Sequence, residues 1–149
     1  MDAHLTIVGG IFSDDEHKKL CSLIEQFQLA EHITFVGYSD CVEEYYKAAD
    51  IFVLSSAWEG FGNVIVEAMS FGLPVIATNC NYGPSEILES GRYGRLVDVG
   101  DYQGFAKAVE DEVGCTLVAP ELLISRSQHF SETNIAREYH QLIREVVHG

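Results

Sequence analysis

Short apolar runs rich in β-branched residues alternate with helix-length segments as far as about residue 100. Their positions predict five strands, at residues 5–10, 33–37, 51–56, 74–79 and 94–99. Helices are predicted between these strands, at residues 14–28, 40–49, 62–71 and 83–89. Because the strands are nearly continuous apolar runs, the pattern favours a parallel sheet covered on both faces. The sequence therefore predicts a Rossmann-like, doubly wound α/β fold.

A helical C-terminal tail is predicted to follow the last strand. Its segments are residues 101–113, residues 120–130 and a final helix that begins after Ser131 as its N-cap. The sequence contains no internal repeat and no low-complexity segment. A chain of 149 residues is predicted to form a single domain, residues 1–149, with a sizeable core.

The composition narrows the range of partners. The chain has 9 basic and 23 acidic residues and a formal net charge of −14. This excess argues against nucleic acid or an anionic membrane surface as a direct partner, because phosphate groups are bound by clustered Lys and Arg. The four cysteines are far apart and form no CxxC pair, so we expect a reduced, cytoplasmic chain without a zinc site. No signal peptide or membrane-spanning segment is predicted.

Candidate chemistry is concentrated where the predicted fold places ligands. In an open parallel sheet, ligands bind at the carboxyl ends of the strands. Glu59, the Gly60–Gly62 turn and the Gly83–Pro84 turn all follow predicted strands. Glu67 lies in an apolar helical segment, where burying an unpaired carboxylate costs several kcal/mol. The hydroxyl groups of a ligand would supply the donors that such a carboxylate needs.

Two local patterns leave alternatives open. The Gly60–Phe61–Gly62 turn before a helix either reverses the chain only or exposes backbone N–H groups to a phosphate. Asn63, Glu67 and Ser70 form one polar stripe on the helix, which is either a solvated face or the wall of a ligand cleft.

Several other groups receive no catalytic or metal-binding role. The six histidines are scattered, and none pairs with a plausible nucleophile. The acidic runs at residues 14–15 and 110–112 are expected to lie solvated on helices. The sequence contains no P-loop, GxGxxG, GxSxG or DxD-type metal motif, and Pro84 is explained by helix initiation.

Taken together, residues 49–88 resemble the donor-binding half of retaining glycosyltransferases with the GT-B fold, in particular the large family 4, or group 1. The resemblance is carried by Glu59 and Glu67, separated by seven residues, in the frame EGFG, EAM-x-x-G-x-PV-x-x-T and G-P-x-E. It implies that Glu59 is catalytic and contacts the transferred sugar near its 3- and 4-hydroxyls. It implies that Glu67 binds the ribose hydroxyls of a nucleotide sugar.

The same resemblance implies further donor-binding residues. Backbone N–H groups of Phe61, Gly62 and Asn63 would contact the distal phosphate and the sugar. Gly37 and Tyr38 would receive the nucleobase, largely through backbone atoms. Enzymes of this family retain the anomeric configuration and usually need no metal, so no metal and no cofactor other than the nucleotide-sugar substrate are expected.

The resemblance also implies parts that this chain lacks. These are the N-terminal acceptor-binding domain and the first strand–helix unit of the donor domain, with the Arg and Lys that clamp the diphosphate. Arg92 and Arg95 are the only basic residues in a candidate site loop, and the motif does not assign them this task. The missing strand would leave a slot between residues 5–10 and residues 51–56. Either these strands close on each other or another chain fills the slot.

The expected parent enzyme transfers a hexose or N-acetylhexosamine from a nucleotide sugar to a glycan or lipid-linked acceptor. The CNYGPSEIL loop resembles those of bacterial enzymes that build surface polysaccharides, often from UDP-sugars, so a UDP-sugar is the expected donor. A cytoplasmic location is expected, with the parent enzyme at the inner face of the membrane. Two alternatives stay open: a nucleotide-binding module without catalysis, and a GT-B sugar-nucleotide epimerase.

Overall fold

Strands and helices alternate along the chain, as the hydrophobic pattern predicts. The structure, a computed structural model, describes residues 3–10 and 13–148. The strands are β1 (Leu5–Val8), β2 (Ile33–Gly37), β3 (Phe52–Leu54), β4 (Val75–Thr78) and β5 (Arg95–Val97). The helices are α1 (Asp14–Gln26), α2 (Val42–Ala48), α3 (Asn63–Ser70), α4 (Pro84–Ile87), α5 (Tyr102–Gly114), α6 (Pro120–Ser127) and α7 (Glu132–His148).

All the strand pairs are parallel. β1 pairs with β2, and β3, β4 and β5 form a second sheet with β4 at its centre. The predicted α/β class with parallel strands and a helical tail is therefore confirmed. Hydrogen bonding divides the strands into two sheets, and β1 and β3 belong to different ones.

The chain forms two compact units, residues 1–45 and 46–149. Burial differs sharply between them. In the described part of the first unit only Ile24 is buried, and Phe27, which follows α1, is 62% exposed. Apolar side chains that are not buried contribute little hydrophobic stabilisation. The described residues of the first unit therefore form no core comparable to that of the second.

The core of the second unit is built around β4. Every residue of β4 is buried, as expected for a central parallel strand. Ile65, Ala68 and Met69 on the inner face of α3 pack into this core, and Leu123 of α6 joins them. The i, i+3, i+4 spacing of the α3 residues is that of an amphipathic helix, whose opposite face remains exposed.

One ion pair joins β5 to α5. Glu112 is 3% exposed, and its Oε2 accepts a hydrogen bond from Arg95 Nε at 2.6 Å. Its Oε1 accepts the backbone N–H of Leu117, while Arg95 Nη2 donates to the carbonyl of Cys115. The acidic run at residues 110–112 is therefore not fully solvated, and the expectation was wrong for Glu112. Its carboxylate is stable in the interior because both oxygens are hydrogen-bonded.

Side-chain capping accounts for the starts of three helices. Ser13 accepts the N–H of Glu16, Asp101 accepts that of Gly104, and Ser131 accepts that of Asn134. The predicted cap at Ser131 is thus confirmed. Within the described residues, no helix has the length and apolar character needed to cross a membrane.

Candidate functional site

The N-terminus of α3 carries no side-chain cap. Its N-cap is Gly62, which has a left-handed backbone with φ +90°, and no side chain hydrogen-bonds the first N–H groups of the helix. Asn63 is the first residue of the helix and is exposed. An α-helix leaves its first N–H groups without internal partners and has a partial positive charge at that end. This end of α3 can therefore accept an anion through backbone atoms alone.

A second loop packs against the glycine turn that precedes α3. Gly83 has φ +98°, and a Cβ atom placed on it would overlap the carbonyl oxygen of Phe61. Only glycine allows the two backbones to approach this closely. The ring of Phe61 also meets the ring of Phe130 edge-on, with 5.5 Å between centroids. The turn before α3 is thus fixed from two sides.

Glu59 is half-buried and lies beyond the carboxyl end of β3. Its Oε1 accepts a hydrogen bond from Ser56 Oγ at 2.6 Å. The buried Thr78 of β4 in turn donates its hydroxyl to the carbonyl of Ser56. A hydroxyl that donates to a charged acceptor makes one of the stronger hydrogen bonds in proteins. Ser56 and Thr78 therefore determine where the Glu59 carboxylate points.

Glu67 is exposed, and the sequence-based argument that it is buried among apolar residues was wrong. The helical period turns Ile65, Ala68 and Met69 inward. It places Asn63, Glu67 and Ser70 together on the outer face. Glu67 Oε2 accepts a hydrogen bond from the hydroxyl of Tyr46 at 3.0 Å. The carboxylate therefore remains open to solvent or to a ligand, with one oxygen partly engaged.

Gly37 and Tyr38, the residues expected to receive a nucleobase, lie in the first unit. Gly37 ends β2 with φ +76°, and its carbonyl accepts the N–H of Gly9 at 2.8 Å. Tyr38 follows it and is 81% exposed. Their role stays a prediction.

The basic residues near the candidate loops already have partners. Arg92 forms an ion pair with Glu89 at 2.8 Å, and Arg95 is bound to Glu112. Hydrogen bonding to Glu89 raises the pKa of Arg92 further. Arg126 donates to the carbonyls of Glu86 and Ile87 at the end of α4. In the part of the chain described, therefore, these three arginines act in internal contacts.

The second unit brings together most of the residues selected from the sequence: Glu59, Phe61, Gly62, Asn63 and Glu67. Sequence reasoning did not select Ser56, Thr78 or Tyr46. Ser56 could have been found from its position three residues before Glu59. Tyr46 contacts a residue 21 positions away, and no local pattern reports such a contact. Among the described residues no group of three His, Cys, Asp or Glu side chains could hold a metal ion.

A family model described as "Glycosyl transferases group 1" matches residues 1–113, which contain both glutamates and the Gly83–Pro84 turn. This chain belongs to that family. The resemblance to the C-terminal domain of GT-B glycosyltransferases is thereby confirmed. The specific role of each site residue remains a prediction.

Two relatives of the chain are glycosyltransferases of lipopolysaccharide core and amylovoran biosynthesis. LpsE of Rhizobium meliloti, a lipopolysaccharide core biosynthesis glycosyltransferase, is 36% identical over 99 residues, which are 66% of this chain and 29% of LpsE. AmsD of Erwinia amylovora, an amylovoran biosynthesis glycosyltransferase, is 34% identical over 99 residues, which are 66% of this chain and 26% of AmsD. The chain therefore spans less than a third of the length of these relatives.

Solved structures support the same fold. Alr3699/HepE of Anabaena in complex with UDP superposes with a TM-score of 0.78 and 27% identity, over 97% of this chain and 40% of that one. The galactosyltransferase WaaB, which acts on the lipopolysaccharide outer core, superposes with a TM-score of 0.82 over 95% of this chain and 40% of that one. Its 19% identity supports the fold alone.

Proposed function

We propose that this chain is the nucleotide-sugar-binding part of a glycosyltransferase. The whole enzyme transfers a hexose or N-acetylhexosamine, with retention, from a UDP-sugar to a glycan or lipid-linked acceptor in the cytoplasm. Acceptor binding requires a further domain, so the isolated chain is expected to have little or no transferase activity.

The observation that carries this proposal is the uncapped N-terminus of α3 with a glutamate on each side of it. The helix end supplies backbone donors for a phosphate. Glu59 precedes it and Glu67 follows one turn after Asn63, so both carboxylates can accept hydrogen bonds from sugar hydroxyls. Together these groups match the two kinds of surface on a sugar nucleotide, which are anionic phosphates and vicinal diols.

The relatives support the choice of donor and pathway. HepE of Anabaena is known in complexes with UDP and with UDP-glucose. LpsE and AmsD are glycosyltransferases of lipopolysaccharide core and amylovoran biosynthesis. We extend UDP-sugar use and polysaccharide biosynthesis to this chain on that basis.

Catalysis without a metal is part of the proposal. Charge on the departing nucleoside diphosphate would be stabilised by the α3 N-terminus and by backbone donors, which act as fixed dipoles. One helix end is worth about 0.3–2 kcal/mol toward a nearby charge. We therefore expect tight donor binding only when the cations of a further segment join the site. Binding of UDP to this chain is expected to be unchanged by EDTA.

Chemical-shift mapping of the ¹⁵N-labelled chain with UDP, GDP, ADP and uridine tests the proposal. UDP is expected to give saturable shifts of the Phe61, Gly62 and Asn63 amides, and uridine, which lacks phosphates, is expected not to shift them. The proposal is wrong if no nucleotide shifts these amides at millimolar concentration. It is also wrong if the largest shifts fall at the capped N-termini of α1 or α5.

A further inference from the structure

One contact beside the candidate site is not assigned by the family motif. Tyr46 lies on α2, and its hydroxyl donates a hydrogen bond to Oε2 of Glu67 at 3.0 Å. The two residues are 21 positions apart, so the contact is made by the fold and not by local sequence.

The ring of Tyr46 is fixed by two other aromatic rings. It stacks on Phe71 with 5.5 Å between centroids and an interplanar angle of 20°. It also packs at 5.8 Å against Phe52, the first residue of β3. Phe71 lies one turn after Glu67, where α3 ends. The Tyr46 hydroxyl is thus positioned relative to both the β3–β4–β5 sheet and the helix that carries Glu67.

An exposed glutamate ordinarily samples many rotamers, and a ligand that binds it must restrict them. Restricting a side chain before binding lowers this entropic cost and raises affinity. Ser70 does not contribute here, because its hydroxyl donates to the backbone carbonyl of Glu67 and not to the carboxylate. The Tyr46 bond engages Oε2 and uses none of the accepting capacity of Oε1.

We infer that Tyr46 is a positioning residue that orients the Glu67 carboxylate to accept both hydroxyls of a ribose diol. This inference rests on the proposed function, since it gives Glu67 its ligand. Tyr46 itself touches no part of the nucleotide.

The protonation of Tyr46 agrees with a donor role. Burial, together with the charge and the hydrogen bond of Glu67, raises the pKa of Tyr46 well above its ordinary value. The hydroxyl therefore keeps its proton and donates throughout the neutral pH range.

The test uses Tyr46→Phe, which keeps the stacked ring and removes only the hydroxyl. Tyr45→Phe is the matched control, because it removes the neighbouring hydroxyl, which does not bind Glu67. Dissociation constants are measured for UDP and for 2′,3′-dideoxy-UDP, which lacks the diol. Tyr46→Phe is expected to weaken UDP binding by about three- to tenfold and to leave the dideoxy analogue unaffected. Tyr45→Phe is expected to change neither constant.

Equal weakening of UDP binding and of analogue binding would overturn the inference, since the hydroxyl would then support the structure of the site and not the contact with the diol. An unchanged UDP constant in Tyr46→Phe, when Glu67→Ala does weaken UDP binding, would overturn the inference alone.

If Glu67→Ala leaves UDP binding intact, the proposed function fails at Glu67 and the ribose role falls with it. Scalar couplings of the Glu67 side chain in the ligand-free protein then decide whether Tyr46 orients this carboxylate. One dominant Glu67 rotamer in the wild type and averaged couplings in Tyr46→Phe would support this orienting role. Identical couplings in the two proteins would refute it.

Discussion

At the scale of single residues, each of the two glutamates accepts a hydrogen bond from a hydroxyl group, one nearby in sequence and one distant. Ser56 donates to Glu59, and Tyr46 donates to Glu67. Carboxylates that accept such bonds keep a fixed direction, and preorganised groups bind with a smaller entropic cost. The hydroxyl donors are therefore the residues at which small substitutions are most informative.

Ser56→Ala is expected to weaken binding of UDP-glucose more than binding of UDP. The substitution frees Glu59, which is predicted to contact the sugar and not the nucleotide. We expect a loss of about three- to tenfold for the sugar nucleotide, as for one charge-assisted hydrogen bond. Calorimetric titration of both ligands measures the difference, with the exposed Ser55→Ala as the control. Equal losses for UDP and UDP-glucose would contradict a sugar-specific role for Glu59.

Tyr46 is expected to make the stability of the protein depend on pH at alkaline values. Its pKa in the folded state is raised, chiefly by burial and then by Glu67. Near the ordinary tyrosine pKa of about 10 the unfolded chain begins to lose this proton while the folded chain keeps it. The contribution of the raised pKa to the free energy of unfolding is therefore fully present below about pH 10. It is lost as the pH rises above that value.

Urea unfolding of the wild type and of Tyr46→Phe between about pH 9 and pH 11 checks this behaviour. The free energy of unfolding of the wild type is expected to fall more steeply than that of the variant. Parallel curves would show that Tyr46 titrates normally in the folded protein.

At the scale of elements, periodicity predicted each strand and helix to within a few residues, because burial and local propensity agree along most of the chain. Periodicity placed Glu67 with Asn63 and Ser70 on one polar stripe, which is exposed, whereas the argument from its apolar sequence neighbours was wrong. Periodicity did not predict the burial of Glu112. That burial depends on Arg95, which is distant in sequence and reaches the carboxylate only after β5 and α5 pack together.

Gly83→Ala is expected to disrupt the packing of the loop before α4 against the turn before α3. The added methyl group would overlap the Phe61 carbonyl, and the residue has φ +98°. Gly91→Ala is the matched control, because Gly91 has φ +96° but its added Cβ would meet only the carbonyl oxygen of Gly94, at an ordinary contact distance of 3.7 Å. We expect Gly91→Ala to cost about 1 kcal/mol or slightly more, and Gly83→Ala to cost clearly more. Equal losses of stability for the two variants, in thermal or urea unfolding, would refute the close approach of Gly83 to the Phe61 carbonyl.

Arg95→Met is expected to destabilise the protein by about 3–5 kcal/mol, because it leaves the buried Glu112 carboxylate without its charged partner. Arg92→Met is the matched control, since the Arg92–Glu89 pair is exposed and such pairs are worth about 0–1 kcal/mol. Urea denaturation of the two variants gives the comparison. A loss below about 1 kcal/mol for Arg95→Met would contradict a buried pair.

At the scale of the whole molecule, the α/β class with parallel strands was predictable because continuous apolar strands separated by helices admit few other arrangements. The uneven burial in the two compact units was not predictable from the pattern. Among the described residues, Ile24 is the buried apolar residue of the first unit, and the other buried apolar residues lie in the second. The hydrophobic pattern identifies which residues can be buried, but it does not identify which of them contact one another.

The central claim is that the second unit binds a nucleotide sugar through the α3 N-terminus and Glu67. Calorimetric titration of UDP into the wild type, Glu67→Ala and Ser70→Ala tests it most directly. Ser70 lies on the same exposed stripe, but its hydroxyl bonds a backbone carbonyl of its own helix. The account predicts saturable binding that Glu67→Ala weakens by about 10- to 100-fold and Ser70→Ala leaves unchanged. Binding that is equal in all three proteins would contradict it.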